Sequence, residues 1–94
     1  MQFTFDWNPD KAKGNFRKHK VSFDRASSVF RDPNAVSIVD EDHSEYEERW
    51  LTMGIDSSGI VLIVSHTFKT IDISNCTIRL ISTRKAEKHE IEQY

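Results

Sequence analysis

The chain has 94 residues, 37% of them hydrophobic and 30% charged, and a formal net charge of -2. That suits one globular domain over residues 1–94 and excludes a disordered or fibrous chain; no apolar run reaches the ~18 residues a membrane span needs. The start, Met1 to Trp7, lacks the basic and apolar regions of a signal peptide, and the lone Cys76 has no internal disulfide partner, which suits a reducing cytoplasm.

Phe3, Phe5 and Trp7 alternate with Thr4 and Asp6, the period of a half-buried strand. Asn8-Pro9 reads as an N-cap followed by proline at the first helical position. In the helix that follows, Ala12 and Phe16 lie four apart and are expected to face the core, while Lys11, Lys13, Arg17 and Lys18 face outward. Gly14 weakens it by ~1 kcal/mol relative to alanine. A break near His19-Lys20-Val21 precedes Ser22, a second N-cap. Phe23, Ala26, Val29 and Phe30 then mark a short amphipathic helix that ends at Asp32, before Pro33.

Val36 to Val39 reads as a strand, Asp40 to Glu48 as an acidic loop, and Arg49 to Ile55 as a strand with Leu51, Met53 and Ile55 on one face. Asp56-Ser57-Ser58-Gly59 is a hairpin turn. Ile60 to Val64 is continuously apolar, which predicts a central strand covered on both faces. Phe68 to Asn75 is expected to be a looser connection, Thr77 to Ser82 the last strand, and Thr83 the cap of a final helix starting at Arg84. The order is β-α-α-β-β-β-β-α, with both early helices on one face of a mainly antiparallel sheet.

The charge is segregated. Lys11, Lys13, Arg17, Lys18, Lys20 and Arg25 stand against one anion, Asp24, whereas Asp40, Glu41, Asp42, Glu45, Glu47 and Glu48 have no Lys or Arg among them. Such blocks can steer a polyanion to one side and a basic partner to another; two ordinary solvated faces are the alternative. His19, His43, His66 and His89 fall at no ligand-like spacing and Cys76 has no cysteine partner, so no metal site is expected. There is no glycine-rich phosphate loop, nucleophile elbow or Cys-x-x-Cys.

The tail carries the most specific chemistry. In a helix beginning at Arg84, Ala86, Glu90 and Tyr94 share one stripe. Arg79 on the last strand and Arg84 at the helix start can aim at one anion, and arginine's planar fork suits phosphate. The plainer alternative is a surface pair of Glu90 with Arg84 or Lys85, contributing under ~1 kcal/mol. His66, after the central strand, is either a proton shuttle or a hydrogen-bonded, half-buried histidine. His19 can equally cap the first helix.

Phe5-x-Trp7-Asn8-Pro9-x-Lys11, Asn15-x-x-Lys18-His19-x-Val21-Ser22-Phe23, Val29-Phe30-x-Asp32-Pro33, Arg49-Trp50, His66-Thr67 and Arg79-x-Ile81-Ser82-x-Arg84-Lys85-Ala86, with Glu90 and Tyr94, resemble the BrnT toxins in order over nearly the whole chain. The resemblance implies an α+β, RelE-like fold: two N-terminal helices on a curved, mainly antiparallel sheet of about four to five strands, and a short C-terminal helix. It also implies a bacterial type II toxin, an endoribonuclease that cuts RNA, halts translation and is neutralised by a BrnA-like antitoxin. Two departures stand out: the family usually has glycine where this chain has Lys20, and Glu-Glu-Ala where it has Asp24-Arg25-Ala26.

The implied chemistry calls for no cofactor and no metal, because RNA carries its own 2'-hydroxyl nucleophile. Arg79 and Arg84 are assigned to the scissile phosphate with Lys18 in support. Glu90 or His66 would be the base, and Tyr94 or His19 the acid or a base-stacking group. Lys11, Arg17, His19, Arg49 and Lys85 are expected to contact RNA. The partners are an RNA substrate, the antitoxin and, through it, a higher-order assembly, with no membrane. The antitoxin would act by occluding the basic face, or remotely through a sheet edge or apolar groove. The rival from another class is a non-catalytic RNA-binding or protein-interaction module of the same fold.

Overall fold

A computed structural model describes residues Gln2 to Tyr94. Strand β1 (Gln2–Trp7) leads into helix α1 (Pro9–His19) and helix α2 (Phe23–Ser28), which runs on as a 3-10 turn over Val29–Arg31. Strands β2 (Val36–Val39), β3 (Trp50–Ile55), β4 (Val61–Thr70) and β5 (Asn75–Lys85) follow, then helix α3 (Lys88–Ile91). One sheet has the order β1-β5-β4-β3-β2, parallel between β1 and β5 and antiparallel elsewhere. This is the α+β arrangement expected from the sequence.

Both early helices form where their caps dictate. The Asn8 side-chain oxygen accepts from the Asp10 and Lys11 amides at 2.8 and 3.4 Å, and the Ser22 hydroxyl accepts from the Arg25 amide at 3.2 Å. Helix α1 stops because Lys20 adopts the left-handed conformation, φ 59°. Glycine, which the resemblance leads one to expect at this position, pays no Cβ penalty there. Lys20→Gly is therefore expected to stabilise the fold by about 1 kcal/mol, read as a higher midpoint in urea unfolding with an unchanged slope.

The helices cover one face of the sheet. Val21, Phe23, Ala26 and Val29 meet Leu62, Val64, Cys76, Ile78 and Leu80 in the core, with Phe5, Trp7 and Phe30 at its margin. Phe16 does not join them. It is 51% exposed, because Asn15, one position earlier, occupies the inward stripe with Ala12 and His19. The buried Asn15 amide donates to the Val21 and Thr83 carbonyls at 3.2 and 3.0 Å and accepts from the Thr83 amide at 3.0 Å. Thr83 is thus a buried β5 residue rather than a helix cap; a capping box of Glu87 and Glu90 starts α3 instead.

Three further expectations change. Strand β4 reaches Thr70 and β5 begins at Asn75, so the loose connection shrinks to a short turn in which the Asp72 carboxylate accepts from the Ser74 and Asn75 amides. Strand β5 runs on through Arg84, so no helix starts there. Strand β4 is central, but only Leu62, Val64 and His66 on its helix side are fully buried; Val61, Ile63, Ser65 and Thr67 stay half-buried. The second face of the sheet is therefore open, with α3 folded over one corner of it.

A candidate active site on the open face of the sheet

Which face each tail residue occupies is set by one irregularity. Ser65 pairs with Ser82, but the next residue, His66, pairs with Leu80, so Ile81 is an extra residue in β5. Residues five apart in a regular strand point to opposite faces. The bulge shifts the alternation by one, so Arg79 (opposite Thr67) and Arg84 (opposite Ile63) share the open face. The burial of β5 follows the same shift: Cys76, Ile78 and Leu80 are buried before it and Thr83 after it.

The arginines do not converge on one point. Their β4 partners are four residues apart, which separates them by about 13 Å along the strand. Each holds its own carboxylate. Arg79 Nη1 donates to Asp6 Oδ2 at 2.7 Å across the parallel β1–β5 pair, with about half of each side chain exposed. Arg84 makes a two-pronged pair with Glu90, Nη1 to Oε1 at 2.7 Å and Nη2 to Oε2 at 2.9 Å. Glu90 also accepts from the Glu87 amide at 2.8 Å. These bonds, the arginine's first, hold the Glu90 carboxyl down at about 2 and raise the Arg84 guanidinium further.

Around Arg84 the open face is apolar. Val36, Ile38, Leu51, Met53 and Ile63 line a cleft of about 250 Å³ that Gln93 and the Arg84–Glu90 pair close on one side. Around Arg79 it is more polar, a cleft of about 360 Å³ where Asp6, Thr67, Lys69, Glu47 and Glu48 stand beside Phe68. Arg49 directly precedes β3, and the strand's alternation carried back one residue assigns it to the same face; its Nε is buried without a hydrogen-bond partner.

The other expected site residues lie elsewhere. His66 is fully buried on the helix side, 2.6 Å from the Thr52 hydroxyl and edge-on to Phe30 and Phe68 with ring centroids 4.8 and 4.7 Å away. Burial pushes its pKa down to about 4. It is the hydrogen-bonded histidine of the two readings, not a group open to the arginine face. Tyr94 is not on a helical stripe with Glu90, since α3 ends at Ile91; its hydroxyl donates to Asp32, which also accepts from the Ile55 amide at 2.8 Å. Lys11, Arg17, Lys18 and His19 belong to α1, on the opposite side of the sheet, and Lys85 lies at the exposed end of β5. Asp6, the partner of Arg79, belongs to no sequence motif, although its outward place in the Phe3-Phe5-Trp7 alternation is legible in the sequence. Among the described residues no cluster of three or more His, Cys, Asp or Glu side chains can hold a metal ion.

The protein is a five-stranded α+β fold whose open sheet face presents Arg79 and Arg84, each paired with a carboxylate. The chain belongs to the BrnT family: the family model described as the ribonuclease toxin, BrnT, of type II toxin-antitoxin system matches residues 7–90. No curated protein matches the chain. Among the described residues no helix is long and apolar enough to cross a membrane.

Proposed function

We propose that this ribonuclease toxin is an endoribonuclease that cuts RNA on the open face without a metal ion, in the cytoplasm, and thereby stops translation. The observation that carries this reading is the bulge that brings Arg79 and Arg84 to one face. Two cations about 13 Å apart hold two phosphates of one strand rather than a single one. A phosphate entering at Arg84 displaces the Glu90 carboxylate. Once released, that carboxylate returns toward its ordinary range and can take the proton of the neighbouring 2'-hydroxyl. The 2'-oxygen bonds to phosphorus, the bond to the 5'-oxygen breaks, and that oxygen leaves with a proton from solvent or an acid. Arg84 stabilises the charge that builds at phosphorus, and Arg79 fixes the strand.

A BrnA-like antitoxin neutralises the toxin in this reading, within a larger toxin–antitoxin assembly. The apolar cleft beside Arg84 supports occlusion, because a partner seated there closes the phosphate position. The direct test is purified protein with labelled RNA in EDTA, beside Arg79→Ala. Cleavage that falls at least about 10-fold in the variant supports the site. Cleavage unchanged in the variant removes Arg79 from it, and intact RNA throughout would require the same comparison in a translation reaction.

A further inference from the structure

The helix side of the molecule carries a second surface that the open-face chemistry does not use. Between α1, α2 and the end of β1 lies a groove of about 520 Å³. Trp7, Phe16 and Phe23 form its apolar part, with Trp7 edge-on to Phe23 at 5.8 Å and Phe16 half-exposed. Lys13, Arg17 and Lys20 form its rim, and Asp24 is the one anion among the residues that line it. An apolar floor within a cationic rim fits an acidic segment that carries an aromatic anchor.

The chain itself has such a segment. The loop between β2 and β3 holds Asp40, Glu41, Asp42, Glu45, Glu47 and Glu48, and in its middle Tyr46 is 94% exposed. A tyrosine left almost wholly in water within an acidic loop is the kind of residue that anchors interfaces. Loop and groove also lie near one another. Glu47 and Glu48 share a cleft with Asp6, and the next residue, Trp7, lines the groove, so the two features straddle the end of edge strand β1. A two-fold axis placed near that point would carry the loop of each of two copies to the groove of the other, which would close the assembly at two copies.

We infer that two copies of this chain associate by reciprocal insertion of the acidic Tyr46 loop of each into the basic Trp7–Phe16–Phe23 groove of the other. The association is electrostatic at its rim, so raising salt from about 0.1 M to about 1 M, which shortens the screening length from about 10 Å to about 3 Å, weakens it at least about 10-fold. Tyr46→Ser weakens it by a similar factor.

The deciding experiment is a charge swap read by analytical ultracentrifugation of the full chain. One variant carries Lys13→Glu and Lys20→Glu, so its groove and loop are both acidic. The other carries Glu45→Lys, Glu47→Lys and Glu48→Lys, so the stretch around Tyr46 that enters the groove is basic, as the groove is. Each variant alone is expected to sediment as a single chain, and an equimolar mixture as a dimer. Thermal melts like that of the unmodified chain confirm that both variants fold. Three results overturn the inference: a single-chain mass for the unmodified protein at every concentration, a dimer that neither variant disturbs, or folded variants that fail to pair when mixed. Labelled RNA added to the acidic-groove variant separates the remaining reading. Lost RNA binding with a single-chain mass throughout would assign the groove to nucleic acid instead.

Discussion

Arg84→Ala is expected to slow RNA cleavage by about 100-fold or more, because it removes the cation at the reacting phosphate and frees the carboxylate it now holds. Arg84→Lys should recover only part of this, since a point charge cannot reproduce the two-pronged geometry that Glu90 now occupies at 2.7 and 2.9 Å. The pH profile separates the roles further. In the free protein the Glu90 carboxyl is held at about 2, so the acid limb of kcat/KM lies at very low pH. With phosphate on Arg84 the carboxyl climbs toward its ordinary value of 4.5, so the acid limb of kcat should lie at a higher pH than that of kcat/KM. Glu90→Gln should bind RNA at least as tightly yet cleave it slowly. Coincident acid limbs, or full activity in Glu90→Gln, would remove Glu90 as the base and leave the arginines acting alone.

The second large effect concerns stability in mild acid. His66 is fully buried, with its pKa lowered by burial from 6.5 to about 4. Between those values the unfolded chain binds a proton that the folded chain rejects, so stability rises with pH across that window. It is fully present above pH 6.5 and falls as pH drops toward 4. The loss is about 2 kcal/mol by pH 5 and about 3 kcal/mol by pH 4. Urea unfolding at pH 7 and pH 5 measures it. His66→Phe, which keeps an aromatic ring between Phe30 and Phe68, is expected to be weaker at pH 7 through loss of the Thr52 contact, yet nearly flat between the two pH values. Asp32, Asp56 and Glu90 also have lowered values, but their contributions are lost as pH falls through the ordinary values of 3.8 and 4.5 and onward, below the pH 7 to pH 5 comparison.

His66 shows why some of the site was illegible. Its neighbours in sequence, Ser65 and Thr67, point to the open face, and only the sheet register says that His66 points the other way. The same holds for Arg79 and Arg84. Their spacing by five would place them on opposite faces of a regular strand, and no helix starts at Arg84 to lift that constraint. The bulge at Ile81 resolves it in fact, and it arises from pairing with a strand distant in sequence. Helical spacing puts Tyr94 on one stripe with Glu90, but α3 is a single turn and the chain leaves it toward Asp32.

Local signals served well where the cause is local. Asn8-Pro9 and Ser22 set the helix starts, the alternation of Phe3, Phe5 and Trp7 set the first strand, and Asp56 to Gly59 set the hairpin, whose turn closes on the Asp56 carboxylate and the left-handed Gly59. Caps, alternation and turn residues act within a few positions, so the sequence by itself determined the element order, the α+β class and the family likeness. Tertiary structure alone decided which cations share a face, which carboxylate holds which arginine and which histidine is sealed from water. Those outcomes depend on strand register and on pairs as distant in the chain as Asp6 and Arg79, and no short-range pattern encodes them.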